Sequence, residues 1–173
     1  MLRSLQRSPP VAGAAERLYW ASIDRARAPV FYARFAVPDT LDGRFDLVTL
    51  HAFIVIEALK RAGLADPLGS QFVTLVFAGF EEALRELGIG DFGISRRIKN
   101  MADAFYGRLD AYARAMGDEE ALQAAILRNI YRGDETMRSA AGTLARYVLV
   151  ASALNSAALL RAGEIDFGPL PES

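Results

Sequence analysis

The 173 residues carry 20 basic and 21 acidic side chains, a net charge of −1 that supplies no global attraction to nucleic acid. Cysteine is absent, which excludes disulfides, iron–sulfur clusters and thiolate zinc sites, and one histidine, His51, is too few for a multi-histidine metal centre within one chain. With 52% hydrophobic residues and a mean hydropathy of +0.14, the chain has the length of one domain and enough apolar surface to leave some for a partner.

Residues 1–15 hold arginines and prolines but no continuous apolar run, so a flexible N-terminus is expected rather than a cleaved secretory signal. A first helix is expected over Glu16 to Ala28, stopped by Pro29. Between Val30 and His51 come three closely spaced aromatics (Phe31, Tyr32 and Phe35), a Pro-Asp turn, an Asp-Gly turn and then a helix. That run reads as an ordered loop, where binding determinants concentrate. Asp46 is the expected N-cap of a helix through Ala62, closed by Gly63. Asp66 followed by Pro67 opens a helix to about Leu87. Ser95 is placed as the cap of Arg96 to Met116, Asp118 as that of Glu119 to Arg132, and Asp134 as that of a long last helix ending near Gly163. Residues 164–173 should form an extended tail, poorly ordered unless docked. Strand alternation is nearly absent. The expectation is all-α, a single helical domain of about six helices over 16–163. The longest apolar stretch, Leu144 to Leu160, is broken by Arg146 and Asn155 and does not reach the roughly 20 apolar residues of a membrane span.

Angular position at about 100° per residue assigns faces to these helices. In Arg96 to Met116, Ile98, Met101, Phe105, Leu109, Tyr112 and Met116 share a stripe, as expected of a surface helix. The Asp46 to Ala62 helix is apolar almost all round and should be central. Leu50 and Phe53 nevertheless fall on its polar arc with Thr49, Glu57 and Lys60, which suggests partner contact.

Gly88, Gly90 and Gly93 match a dinucleotide fingerprint, but they follow a helix instead of a strand, and Asp91 would repel phosphate. A turn is the better account, with Gly88 after the helix end and Gly90 allowing a second positive φ. Asp39, Asp42 and Asp46 lack calcium-loop spacing and are better explained by two turns and a cap. His51 lies mid-way along an apolar arc and reads as a hydrogen-bonded core residue. Gly107 sits inside a helix between Tyr106 and Arg108, marking either a kink or the close approach of another backbone. Phe31, Tyr32 and Phe35 are expected to be partly core, with an apolar groove for a client helix as the alternative. No serine or cysteine nucleophile has its partners, so no catalytic triad is assigned.

The run VFYARFAVPDTLDGRFDLVTLH (Val30 to His51), with LRELGIGD (Leu84 to Asp91), AFYGRLDAY (Ala104 to Tyr112) and LRNIY (Leu127 to Tyr131), resembles the ubiquinol-cytochrome c chaperone family over roughly Val30 to Leu160. The resemblance implies a non-enzymatic, all-α assembly chaperone for the cytochrome b subunit of ubiquinol-cytochrome c reductase, without cofactor or metal. Its partners would be nascent cytochrome b or its apolar segments, and a small co-chaperone is among those implied. The expected client-binding residues are Phe31, Tyr32, Phe35, Asp39, Arg44, Leu50, Phe53, Tyr106 and Arg108. Arg96, Arg97 and Lys99 form the densest basic patch, suited to anionic headgroups or ribosomal RNA rather than DNA. The N-terminus lacks an organelle presequence, which places the expected protein in a bacterial cytoplasm, peripheral to the inner membrane. A small-molecule or lipid-binding helical protein is the competing function. An enzyme using Asp39, Arg44 and His51 is a third.

Overall fold

The computed structural model describes residues 10–172, and helical punctuation divides them into six longer helices and two short ones, with no strand among the described residues. Helix α1 covers Pro10–Ala26, starting ahead of the expected Glu16 because its alanines are recruited into the core. Ala14, Ala15 and Leu18 are all buried there. Residues 1–9 of the expected flexible N-terminus lie outside the described residues. Pro29 ends the first helical pattern as expected and begins the short α2 (Pro29–Ala33).

Helix α3 (Leu41–Arg61) begins one turn before the expected start at Asp46. Its N-cap is Thr40, whose Oγ1 accepts a hydrogen bond from the Gly43 backbone N–H at 3.2 Å. Gly43 is required by packing, since a Cβ there would run into the Pro38 carbonyl oxygen. Asp46 is therefore no cap but a buried carboxylate in the second turn. An extended Asp66 and one π-turn (Ala65–Gly69) precede α4 (Ser70–Glu86), so regular geometry starts three residues after Pro67. The Ser70 hydroxyl donates to the Asp66 carboxylate at 2.7 Å. Gly88 adopts the expected positive φ of +75°. Gly90 does not: at φ −70° it is the N-cap of α5 (Asp91–Ala115), which opens five residues before the expected Arg96. Ser95 is accordingly inside the helix, donating to the Asp91 carbonyl.

Asp118 caps α6 (Glu119–Ile130) as expected, accepting from the Ala121 N–H at 3.0 Å. Asp134 caps a single 3-10 turn (Glu135–Met137) that leads into α7 (Arg138–Ala153). The expected unbroken last helix stops there. Asn155 turns its side chain to the tail, donating to the Asp166 carbonyl at 2.9 Å and accepting from the Asp166 N–H at 2.7 Å. Ser156 then caps a five-residue α8 (Ala157–Arg161).

Helix α3 is central, packed against α1, α5, α6 and α7. Leu50 and Phe53 are thus fully buried, and so are Phe31 and Phe35, which removes all four from direct partner contact. A polar arc computed for a helix surrounded on all sides does not mark a solvent face.

Candidate functional site

The segment joining α2 to α3 is held from below. Phe31 and Phe35 fill the core, and the Tyr131 hydroxyl donates to the Phe35 carbonyl at 2.8 Å. Facing outward here are Tyr32 of α2, Asp39 of the joining segment, and Leu41 and Arg44 of the first turn of α3, so much of the run expected as a loop is helical. The Arg44 Nε donates to Asp39 Oδ1 at 2.8 Å across the surface of the loop. That hydrogen bond lowers the Asp39 carboxyl below its ordinary value and raises the Arg44 guanidinium. Burial raises the Tyr32 phenol, with the Asp39 charge adding to it, and the Tyr32 hydroxyl donates to the Ala26 carbonyl at 3.2 Å.

Tyr32 and Arg44 stand at the edge of a groove of about 220 Å³ between α1, the first turns of α3, and α4. Phe45, Val48, Val76, Phe80 and Met101 supply its apolar lining. Leu41 and Leu87, which also line it, are 36% and 60% exposed, so the groove opens to solvent. Gly79 lets Tyr19 of α1 pack closely on α4 at the groove, because a Cβ there would overlap the Tyr19 hydroxyl. Phe45 packs against Phe80 with ring centroids 5.2 Å apart.

Leu41, Phe45 and Met101 also line a second hollow of about 350 Å³ on the α5 side, together with Arg97, Arg108 and Arg132. The two hollows therefore share a floor. Arg108 lies over the Phe45 ring, 5.1 Å from its centroid. Its Nη2 is 2.9 Å from Asp46 Oδ1, and Arg132 Nη2 is 2.9 Å from Asp46 Oδ2. Both contacts are ion pairs without well-aligned hydrogen bonds. Burial raises the Asp46 carboxyl above its ordinary value and outweighs the two guanidiniums that lower it. The triad joins α3 to α5 and to the turn after α6, and the desolvation of its carboxylate offsets much of the attraction between the charges.

Of the expected client-binding residues, the structure brings Tyr32, Asp39 and Arg44 together at the groove and puts Arg108 in the adjoining hollow. Tyr106 is 55% exposed but stacks on Phe77 beside a separate depression between Ile56, Val73 and Lys60. Among the described residues nothing lies within 4 Å of a Cβ built at Gly107, so no described backbone approaches it. Leu41, Phe45, Phe80 and Met101 were not anticipated. For the first two the signal was the Thr40 cap: with the helix starting at Leu41, Leu41, Phe45 and Val48 fall on one face.

His51 belongs to another part of the molecule. It is fully buried, with Nδ1 2.8 Å from the Leu47 carbonyl and Nε2 3.0 Å from the Tyr147 hydroxyl. A carbonyl only accepts, so Nδ1 carries the proton, Nε2 accepts from Tyr147, and the Tyr147 oxygen accepts from Arg25 Nε at 3.0 Å. Burial, with the Arg25 charge assisting, lowers His51 to about 4. Arg25 also donates to the Phe167 and Gly168 carbonyls, which docks the C-terminal tail and buries Phe167 against His51. Among the described residues, no three acidic or histidine side chains gather where a metal could be held, and no helix is long and apolar enough to cross a membrane.

The Ubiquinol-cytochrome C chaperone family matches residues 33–165. Ubiquinol-cytochrome-c reductase complex assembly factor 1 of Xenopus laevis is 24% identical over 165 residues, covering 92% of this chain and 82% of its own length. The mouse and human proteins of that name are each 22% identical, and this chain spans 56% and 55% of their lengths. The crystal structure of the Cbp3 homolog from Brucella abortus superposes with a TM-score of 0.81 at 36% identity, over 92% of this chain and 91% of that one.

Proposed function

This chain belongs to the ubiquinol-cytochrome c chaperone family, whose members are assembly chaperones of the reductase, and from that premise we propose that it shelters an apolar segment of nascent cytochrome b in the groove beside Arg44. The observation that carries this reading is the form of the groove. It is apolar, open along Leu41 and Leu87, and edged by Tyr32 and the Asp39–Arg44 pair.

A nascent polytopic subunit exposes apolar helices before its haem and partner subunits arrive, and unprotected apolar surface aggregates. An open groove covers one face of such a helix and leaves the other free, so the client can be handed on. Arg44 supplies an orienting charge at the edge, where it can exchange Asp39 for a carboxylate on the client. A carrier of small lipids would be better served by an enclosed cavity. An enzyme built on Asp39, Arg44 and His51 finds no support in the geometry, because both ring nitrogens of His51 are engaged in the core and His51 lines no part of the groove. The site of action in this reading is the cytoplasmic side of a bacterial inner membrane.

The test is complementation. In cells lacking the protein, Arg44→Ala and Tyr32→Ala should reduce co-purification of cytochrome b and assembly of the reductase on native gels by more than they lower the thermal midpoint. The reading is overturned if both variants leave capture and assembly unchanged.

A further inference from the structure

The first turn of α5 carries Phe92 at 94% exposure, the most exposed large apolar side chain among the described residues. A phenyl so placed adds almost nothing to the core, and a single exposed apolar residue would by itself need no explanation. Its charged neighbours make the difference. Arg96 and Lys99 follow Phe92 by four and seven residues on one face of α5, and Arg97 follows on the side that borders the hollow of Arg108 and Arg132. All three are exposed, and none makes an ion pair or a side-chain hydrogen bond with the described residues. Arg85, Arg114, Arg138 and Arg146, equally on the surface, each meet a carboxylate. Within the first turns of α5, Asp91 is the one acid against these three bases; Glu86 lies before the turn and Asp103 follows one turn on.

We propose that this end of α5 docks on an anionic bilayer, Phe92 entering the interfacial layer while Arg96 and Lys99 meet lipid phosphates. An aromatic tip with cations behind it matches the layered chemistry of that surface, apolar within and anionic at the headgroups. Long basic side chains can also lay their stems along the apolar boundary while keeping their charge in the phosphates. An RNA site would instead call for a longer basic track with aromatic faces for stacking, and the chain as a whole is not basic. The attachment is superficial and reversible, since no described helix spans a membrane. It does not depend on the identity of the client, and its test contains none.

The full chain would be sedimented with phosphatidylcholine vesicles with and without phosphatidylglycerol. Binding is expected with phosphatidylglycerol only and should weaken as salt is raised. Removing a cation, as in Arg96→Ser or Lys99→Ser, should weaken it roughly fivefold each, as expected for about 1 kcal/mol per basic residue at the surface. Phe92→Ser should weaken it as well, with the thermal midpoint unchanged in all three. In a Trp20→Phe, Phe92→Trp protein, emission should shift to the blue on anionic vesicles. The proposal is overturned by equal binding to neutral vesicles, by binding that the substitutions leave intact, by a tryptophan at 92 whose emission does not move, or by retention on RNA without retention on vesicles.

Discussion

Arg25 and Arg108 both lie over aromatic rings close to α3, and the chain treats the two places in opposite ways. Around Arg25 the guanidinium crosses Tyr147 and Phe167, holds two tail carbonyls and closes the surface over His51. Around Arg108 the guanidinium covers Phe45 and engages Asp46 from one side, and among the described residues no segment continues across Leu41, Phe45 and Met101. The same residue types build a sealed core in one region and an open floor in the other. What separates them is whether a described segment of the chain lies over the floor as a cover. An apolar floor left open beside a buried charge triad is where an external segment can take that part.

The comparison is broken most severely at the triad. Asp46→Ala would leave two guanidiniums around an empty buried position, one of them on a side chain only 15% exposed. A loss of about 3–5 kcal/mol in unfolding free energy is expected, because the uncompensated charges remain. Chemical denaturation checks it, and a loss below about 1 kcal/mol would show that the triad does not fix α3 against α5.

The sealed region has its own signature in pH. His51 titrates near 6.5 when unfolded and is lowered to about 4 in the fold, so between those values the unfolded chain binds a proton that the folded chain does not. Stability is therefore full above the unfolded value and falls as the pH drops, by about 1.4 kcal/mol per unit and on the order of 3 kcal/mol across the window. The readout is the difference in slope between the natural protein and His51→Gln, in which this component is absent. Equal slopes would mean that His51 is not locked neutral between Leu47 and Tyr147.

These two regions also differ in how far the sequence reveals them. Helix ends signalled by one local residue were legible: Asp118 as a cap, Gly63 and Gly88 with positive φ, and Pro29 as a stop. His51 was legible as core because its neighbours at helical spacing are apolar. Asp46 was not. An aspartate before an apolar run satisfies the pattern of a cap, and only Arg108 and Arg132, far along the chain, make it an interior residue. The break at Asn155 was hidden for a similar reason, since its cause is the returning tail at Asp166. At the candidate site, Tyr32, Asp39 and Arg44 could be read from the loop, whereas Phe80 and Met101 come from α4 and α5 and require the tertiary arrangement.

The smallest expected effect on stability belongs to the open floor, and it carries the central claim. Leu41 and Val150 are both exposed apolar side chains, 36% and 51% accessible, one on the groove and the other on the face under the C-terminal tail. A photo-crosslinking amino acid at either position should change unfolding free energy by no more than about 0.5 kcal/mol. Crosslinked in cells assembling the reductase, the probe at position 41 should capture cytochrome b and the probe at 150 should not. Capture from 150 alone, or equal capture from both, would contradict the assignment of the open groove as the client-contact surface.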